Sequence, residues 1–521
     1  MKPIGIVRNV EKNDIIFISS QKLRQGDFVA YRDRWVDGER FILCRVKYSR
    51  SFKEYPDEFL MGDGLDPKEI LEFGGMDSED YKKYLITASI AGYYSLGEFR
   101  HPKAMPDFGE QVYLAGGELL KDISPIPAGS MGSATIGTVL GTDVPVALSV
   151  KDLASQHLSI IAATGSGKSY TVGVLLEELM KPINRAAVLV VDPHGEYYTL
   201  SEIQGNPEFS KDEYRPTVKI LRKDNIKIRV TELTIEDYLG IMEMTDKMEA
   251  LFIKSFKALP DRSSYKKVDL LNEVRALRDD NNQSTIDGII WRFENNIMNR
   301  SIFDDFQHMQ LREQFRVGQL TILDLSGLSE KEQQLIVAVL LRRLFDAREN
   351  TVSQRYGEKD EKYLPYPVFV VLEEAHRFAP QNGEAKSKSI LKTILSEGRK
   401  FGIGICMVSQ RPSKLDGDCL SQCMSQITMR IINPADRNQI GESIESMSRD
   451  MLEELPGLSK GEALVSGVAI NTPTLVRIRR RLTEHKGISR DAPLEWIEQS
   501  RKDIEAKQAV SAQLKKQYRL F

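Results

Sequence analysis

The segment AATGSGKS at residues 162–169 constrains this chain more than any other stretch. It follows the apolar run SIIAA and opens YTVGVLLEELM, whose apolar spacing predicts a helix. A turn between a buried strand and a helix aims several backbone N–H groups at one anion. Gly165 and Gly167 let that backbone approach phosphate with no Cβ in the way. Lys168 would reach the β- and γ-phosphate oxygens, and the Ser169 hydroxyl would ligate Mg²⁺. Thr164, Gly165, Ser166, Gly167, Lys168, Ser169 and Tyr170 form the expected nucleotide-binding set, with ATP and Mg²⁺ as cofactors. The pattern departs from GxxxxGK[ST] at its first position, where Ala162 stands for glycine. The strand before and the helix after argue against a fortuitous glycine-rich turn.

The flanking sequence extends this unit into a sheet. AAVLVVD (186–192), LTILDLS (320–326), VFVVLEE (368–374), GIGICMVSQ (402–410) and QITMRIIN (426–433) are near-continuous apolar runs separated by helical or loop stretches. That predicts a parallel sheet covered on both faces. ALVSG and TLVRIRRR read as closing strands. Between 232 and 315 the alternation gives way to helically spaced apolar residues. Residues 1–115 carry short alternating runs between turn residues, as in a small barrel. A polar, helical excursion is expected at 52–82, and PIPAGS (125–130) as a linker. The expected fold class is therefore α/β, with a P-loop ATPase core at 130–231 and 316–485. A helical insertion occupies 232–315, a β-barrel precedes the core at 1–115, and a helical tail follows at 486–521.

Composition narrows the class of protein. The 521 residues suit two to four domains at roughly 100–200 residues each. With 41% hydrophobic and 28% charged residues, a packed core is expected, not disorder. A net charge of −3 excludes a uniformly basic coat protein but leaves room for a local basic channel. Cys44, Cys406, Cys419 and Cys423 suggest a reducing compartment. Cys419 and Cys423 have no neighbouring Cys/His pair, so buried thiols are expected over a zinc site. No apolar run approaches the roughly 20 residues of a membrane span, and the N-terminus lacks a signal-peptide core. A cytoplasmic protein with no membrane partner is expected.

Hydrolysis needs acids beside the phosphate loop, and VVLEEAH supplies them at the C-terminal end of a buried strand. Glu373 would hold the Mg²⁺ hydration shell, one methylene longer than the usual Asp. Glu374 would orient and polarise the attacking water. Gln410, after Ser409 at the end of its strand, would sense the γ-phosphate through its amide. Arg399 in SEGRKFG is a candidate finger for a neighbour's γ-phosphate, or a surface arginine on a helix C-terminus. Arg430 and Arg437 are weaker candidates of the same kind. The catalytic set is thus Lys168, Glu374, Arg399 and Gln410, and the metal set Ser169 and Glu373. Asp192 could act as an outlying acid, while His194 reads as structural.

TGSGKS, VVDPHGEY, VVLEEAHRFAP and EGRKFGIGICMVSQRPSKL, in that order, resemble the HerA branch of the HerA/FtsK ATPases. The resemblance runs from about 120 to about 485, and the β-rich start is similar to the small barrel that precedes the motor in HerA proteins. It implies that the P-loop ATPase core is RecA-like, in a homo-hexameric ring with ATP between subunits and double-stranded DNA in the channel. Lys168 is implied on the phosphates, Glu374 in hydrolysis, Gln410 as sensor and Arg399 as finger in trans. It also implies DNA end resection with a NurA-type nuclease, docked through the barrel. Many relatives carry an arginine where this chain has Gln156. Lys386, Lys388 and Lys392 suggest a DNA-gripping loop, or simply a solvated one, whereas RIRRR (477–481) reads as a strand end. Two other classes compete. An export or conjugation ATPase would share the motor, though such proteins often carry membrane segments. A nucleotide-gated scaffold could instead activate a nuclease or defence effector, but Glu374 favours turnover. An ABC-type echo in LSGLSEKEQ lacks the second glycine.

Overall fold

The computed structural model describes residues 2–35, 38–52, 83–485 and 492–517. The excursion expected at 52–82 falls almost wholly outside them.

The first strands are β1 (Pro3–Glu11), β2 (Asp14–Ser19), β3 (Phe28–Trp35), β4 (Gly38–Phe52), β5 (Lys83–Ser95), β6 (Glu98–Arg100) and β7 (Gln111–Leu114). They pair antiparallel in the order β2-β1-β7-β3-β4-β5, and a β2–β5 pairing closes the ring. Closure removes the strand edges that an open sheet would expose. Period-two alternation sorts the faces: Ile15 and Phe17 of β2 are buried while Ile16 and Ile18 are half-exposed.

The central sheet is built from β8 (Ser133–Val139), β9 (Pro145–Ser149), β10 (Leu158–Ile161), β11 (Ala187–Asp192) and β12 (Thr217–Leu221). After the small pair β13 (Ile228–Arg229) and β14 (Phe303–Asp304) come β15 (Gln319–Asp324), β16 (Val368–Leu372), β17 (Ile403–Ser409), β18 (Ser425–Met429), β19 (Glu462–Gly467) and β20 (Thr474–Ile478). The order is β12-β15-β11-β16-β17-β10-β18-β19-β20-β8-β9. It is parallel from β12 to β18 and antiparallel beyond. The parallel strands are apolar because helices cover both faces. On one face Val190 and Ile322 pack with Val172 and Leu176; on the other, Leu189 and Leu323 pack with Leu340 and Leu344. Leu120 and Ile123 are also buried, so the chain ahead of the expected linker at 125–130 is packed into the core.

The insertion is helical: Ile235–Met242, Asp246–Ala258, Lys267–Ala276 and Gln283–Phe293. Its centre is Tyr238, whose ring meets Phe252, Phe256 and Phe293. The Tyr265 hydroxyl donates to the Val230 carbonyl (2.7 Å), satisfying a buried polar group. Arg342 pairs with Asp237, tying the insertion to the helix Glu330–Val352.

Barrel and core lie within one compact unit, residues 1–483. Arg45 of β4 joins them, 1% exposed, with Nη2 donating to Glu454 Oε2 (2.5 Å). Burial pushes the Glu454 carboxyl up, against the pull of Arg45. A second unit begins at Glu484 and contains the helix Ala492–Gln517, with Leu494, Trp496, Ile497 and Ile504 exposed. No helix among the described residues is long and apolar enough to cross a membrane.

Candidate active site

Strand register brings the sequence motifs to one edge of the sheet. Ile161 stands beside Ser409, Leu372 beside Met407, and Val191 beside Leu372. The residues that follow these strand ends therefore leave the sheet together.

The phosphate loop is held from behind. Ala162 N donates to Ser409 O (3.3 Å), Ala163 N to Arg430 O (3.0 Å), and Gly461 N to Ser166 O (3.2 Å). Gly165 (φ 81°) and Gly167 (φ 108°) are left-handed, where a side chain is strained. The helix Lys168–Met180 starts with no side-chain cap, so its first-turn N–H groups suit an anion.

Lys168 Nζ donates to Glu373 Oε2 and to Glu374 Oε1, each at 2.8 Å. Burial opposes its charge, but the two carboxylates win and hold its pKa above the ordinary value. Burial would raise Glu374 too; Lys168 outweighs it and lowers that carboxyl. Glu374 is left-handed itself (φ 51°), a strained setting for a non-glycine residue. Its Oε2 lies 3.5 Å from Gln410 Nε2 and 3.4 Å from His376 Nδ1. Thr164 Oγ1 donates to Gln410 Oε1 (2.8 Å), linking the amide to the loop.

A second wall comes from the turn after β11. Asp192 is buried and accepts N–H bonds from His194 (3.2 Å), Gly195 (2.8 Å) and Tyr197 (3.1 Å). Asp192 thus folds the turn that carries Glu196 and Tyr197. That loop sends the Tyr197 hydroxyl to Glu373 Oε1 and the Glu196 carboxylate to Ser169. Burial pushes Asp192 up to about 6 against those N–H groups. A raised carboxyl favours the folded form below its ordinary value of 3.8, and this contribution fades as pH rises through about 6. Asp192→Asn is therefore expected to flatten the Tm-versus-pH curve between about pH 4 and 6. Parallel curves for the two proteins would refute this.

Arg399 is exposed in the last turn of the helix Lys388–Phe401. It precedes β17, whose other end carries Ser409, about 20 Å away at the rise of an extended strand. It therefore lies apart from the Lys168, Glu374 and Gln410 cluster. Arg430 is exposed and Arg437 half-buried. Lys388 pairs with Asp416 (2.9 Å) and Lys392 with Asp418 (2.7 Å), so both charges are neutralised locally. Lys386 instead packs on Gly240 of the insertion, where a Cβ would meet its Cε at 1.9 Å. RIRRR closes the fold: Arg477 pairs with Glu462, Arg479 with Glu177 and Glu178, and Arg481 with Glu177. All four cysteines are free and buried. His157 Nδ1 accepts from Ile405 N (3.1 Å), and burial lowers this histidine to about 4. Glu196, Tyr197 and His376 were not foreseen as site residues. Their signal was position, inside the motifs VVDPHGEY and EEAH.

The family model described as "Helicase HerA, central domain" matches residues 134–344. The "DNA double-strand break repair helicase HerA" of Pyrococcus furiosus is 31% identical over 506 residues, covering 88% of this chain and 86% of its own. The chain belongs to the HerA family. The HerA of Sulfolobus acidocaldarius is 28% identical over 514 residues, covering 96% of this chain and 97% of its own. Among solved structures, VirB4 of Thermoanaerobacter pseudethanolicus aligns at 12% identity with a TM-score of 0.47, covering 68% of this chain and 97% of that one.

Proposed function

We propose that this HerA-family chain is the ATP-hydrolysing subunit of a ring that translocates on double-stranded DNA. The observation that carries the proposal is the single cleft shared by Lys168, Glu374 and Gln410. Lys168 holds the phosphates, Glu374 takes the proton of the attacking water, and the Gln410 amide reads the γ-phosphate. Thr164, Gly165, Ser166, Gly167 and Tyr170 complete the nucleotide contact. Ser169 and the acids beside it offer the hydroxyl and carboxylate oxygens that Mg²⁺ prefers, so the donor set fits that ion. When bound, Mg²⁺ supplies positive charge to the phosphate oxygens. ATP bound to the loop draws Lys168 away from Glu374, which frees that carboxylate for its water, while Glu373 keeps its hold on the ammonium.

The name of the Pyrococcus furiosus relative, a double-strand break repair helicase, supports DNA as the track. End resection with a NurA-type nuclease docked on the barrel is part of the proposal through the family resemblance alone. The test is ATP hydrolysis by the purified chain with and without linear duplex DNA, alongside the particle mass. Turnover stimulated by duplex on a homo-hexamer supports the proposal. Wild-type protein with neither turnover nor DNA binding leaves only a nucleotide-gated scaffold.

Arg399 acts on the neighbouring subunit's site in this scheme, as its exposure allows. Arg399→Ala and Lys168→Ala proteins are each expected to be inactive. Mixed one to one, they are expected to recover about one quarter of wild-type turnover, because random heterologous contacts rebuild that share of complete sites. A mixture as inactive as its parts would remove the trans role.

A further inference from the structure

We infer that Glu196, rather than Glu373, is the carboxylate that meets nucleotide-bound Mg²⁺ beside Ser169; this rests on the nucleotide reading above. Glu373 looks like the metal acid from its place after β16, but its oxygens are already engaged. Oε2 accepts from Lys168, and Oε1 accepts from the buried Tyr197 hydroxyl. Glu373 is itself buried, 4% exposed. Glu196 is different. It is exposed at the cleft, and its Oε2 accepts a 2.6 Å hydrogen bond from Ser169 Oγ. That hydroxyl is the group a phosphate loop offers to Mg²⁺.

The placement of Glu196 is built into the fold. Asp192 gathers the N–H groups of His194, Gly195 and Tyr197, which bends the turn back over the strand end. Gly195 makes the bend at φ 73°, where a Cβ would sit 3.3 Å from Asp324 Oδ1. Tyr197, the next residue after Glu196, is pinned to Glu373. Glu196 is thus fixed on both sides, with its side chain at Ser169. Mg²⁺ takes few protein carboxylates and keeps several waters when phosphates are present, so one such acid is enough. Tyr197 then holds Glu373 as a positioning group for Lys168.

The experiment is fluorescence titration of mant-ADP in EDTA and in MgCl₂, with Mn²⁺ binding in the presence of ADP followed by electron paramagnetic resonance. Wild type is expected to bind mant-ADP more tightly in MgCl₂. Glu196→Gln is expected to lose about tenfold of that metal-dependent gain, with its affinity in EDTA unchanged. It should weaken the Mn²⁺ signal likewise, whereas Glu373→Gln should keep the gain. A Glu196→Gln protein with the full gain overturns the inference, as does loss of the gain in Glu373→Gln alone. Weakened binding of Glu196→Gln in EDTA also overturns it, because Glu196 would then act on the loop and not on the metal. Wild type indifferent to MgCl₂ overturns it too. Wild type that binds no mant-ADP under either condition removes the nucleotide reading itself.

Discussion

Glu374→Gln is expected to lower kcat for ATP hydrolysis by about 10²–10⁴-fold, the usual scale for losing a positioned general base. Nucleotide affinity should hold within roughly a factor of three, since the change costs no phosphate contact. Glutamine keeps a carbonyl oxygen for Lys168, whose second partner, Glu373, remains at 2.8 Å. The ammonium is thus never left buried and unpaired, and the fold should survive. What is lost is the basic oxygen that Gln410 and His376 flank at 3.5 and 3.4 Å. The left-handed backbone at Glu374 adds to the case: strain held at one residue beside the phosphate loop marks a side chain aimed for a purpose. Steady-state turnover together with mant-ATP binding separates the two effects. A variant that hydrolyses ATP at the wild-type rate would show that another group activates the water.

Much of this arrangement was legible in the sequence because α/β sheets put their chemistry where parallel strands end. Three buried runs ending in a phosphate loop, an acid pair and Ser-Gln were enough to bring Lys168, Glu374 and Gln410 to one edge. Interactions that depend on distant partners were not legible. Nothing in VVDPHGEY says whether Asp192 faces the ligand or its own backbone; the choice is made by a buried turn whose N–H groups need an acceptor. Lys388 and Lys392 looked like free cations until Asp416 and Asp418 were brought alongside by the packing of the next helix. The β8–β9 hairpin left no clear mark, because its place in the sheet is set by pairing with β20, far along the chain. The barrel was visible through its alternation, but nothing in the sequence around Arg45 sets that arginine apart. Its burial against Glu454 is a tertiary fact.

The second large effect concerns stability and falls on Glu177, in the helix that the phosphate loop opens. Apolar spacing marks YTVGVLLEELM as a core helix, yet Glu177 and Glu178 are both almost fully buried. They are there for the chain that follows β20. Glu177 Oε2 accepts from Arg479 (2.8 Å). Its Oε1 accepts from Leu482 N (2.9 Å), Thr483 N (2.9 Å) and Thr483 Oγ1 (2.8 Å). The Arg481 guanidinium lies against the same helix at Gly173, where a Cβ would come within 2.7 Å of its Cζ. Removing this one carboxylate leaves the Leu482 and Thr483 N–H groups without their acceptor and takes a buried counter-charge from Arg479 and Arg481, although Arg479 keeps Glu178. Glu177→Ala is therefore expected to cost about 3–5 kcal/mol, the range for breaking a buried ion pair from one side. Glu177→Gln keeps an oxygen for the N–H groups and should cost less. Urea unfolding of the nucleotide-free protein measures both. A Glu177→Ala protein within about 1 kcal/mol of wild type would mean that Glu178 and water carry the closing segment alone.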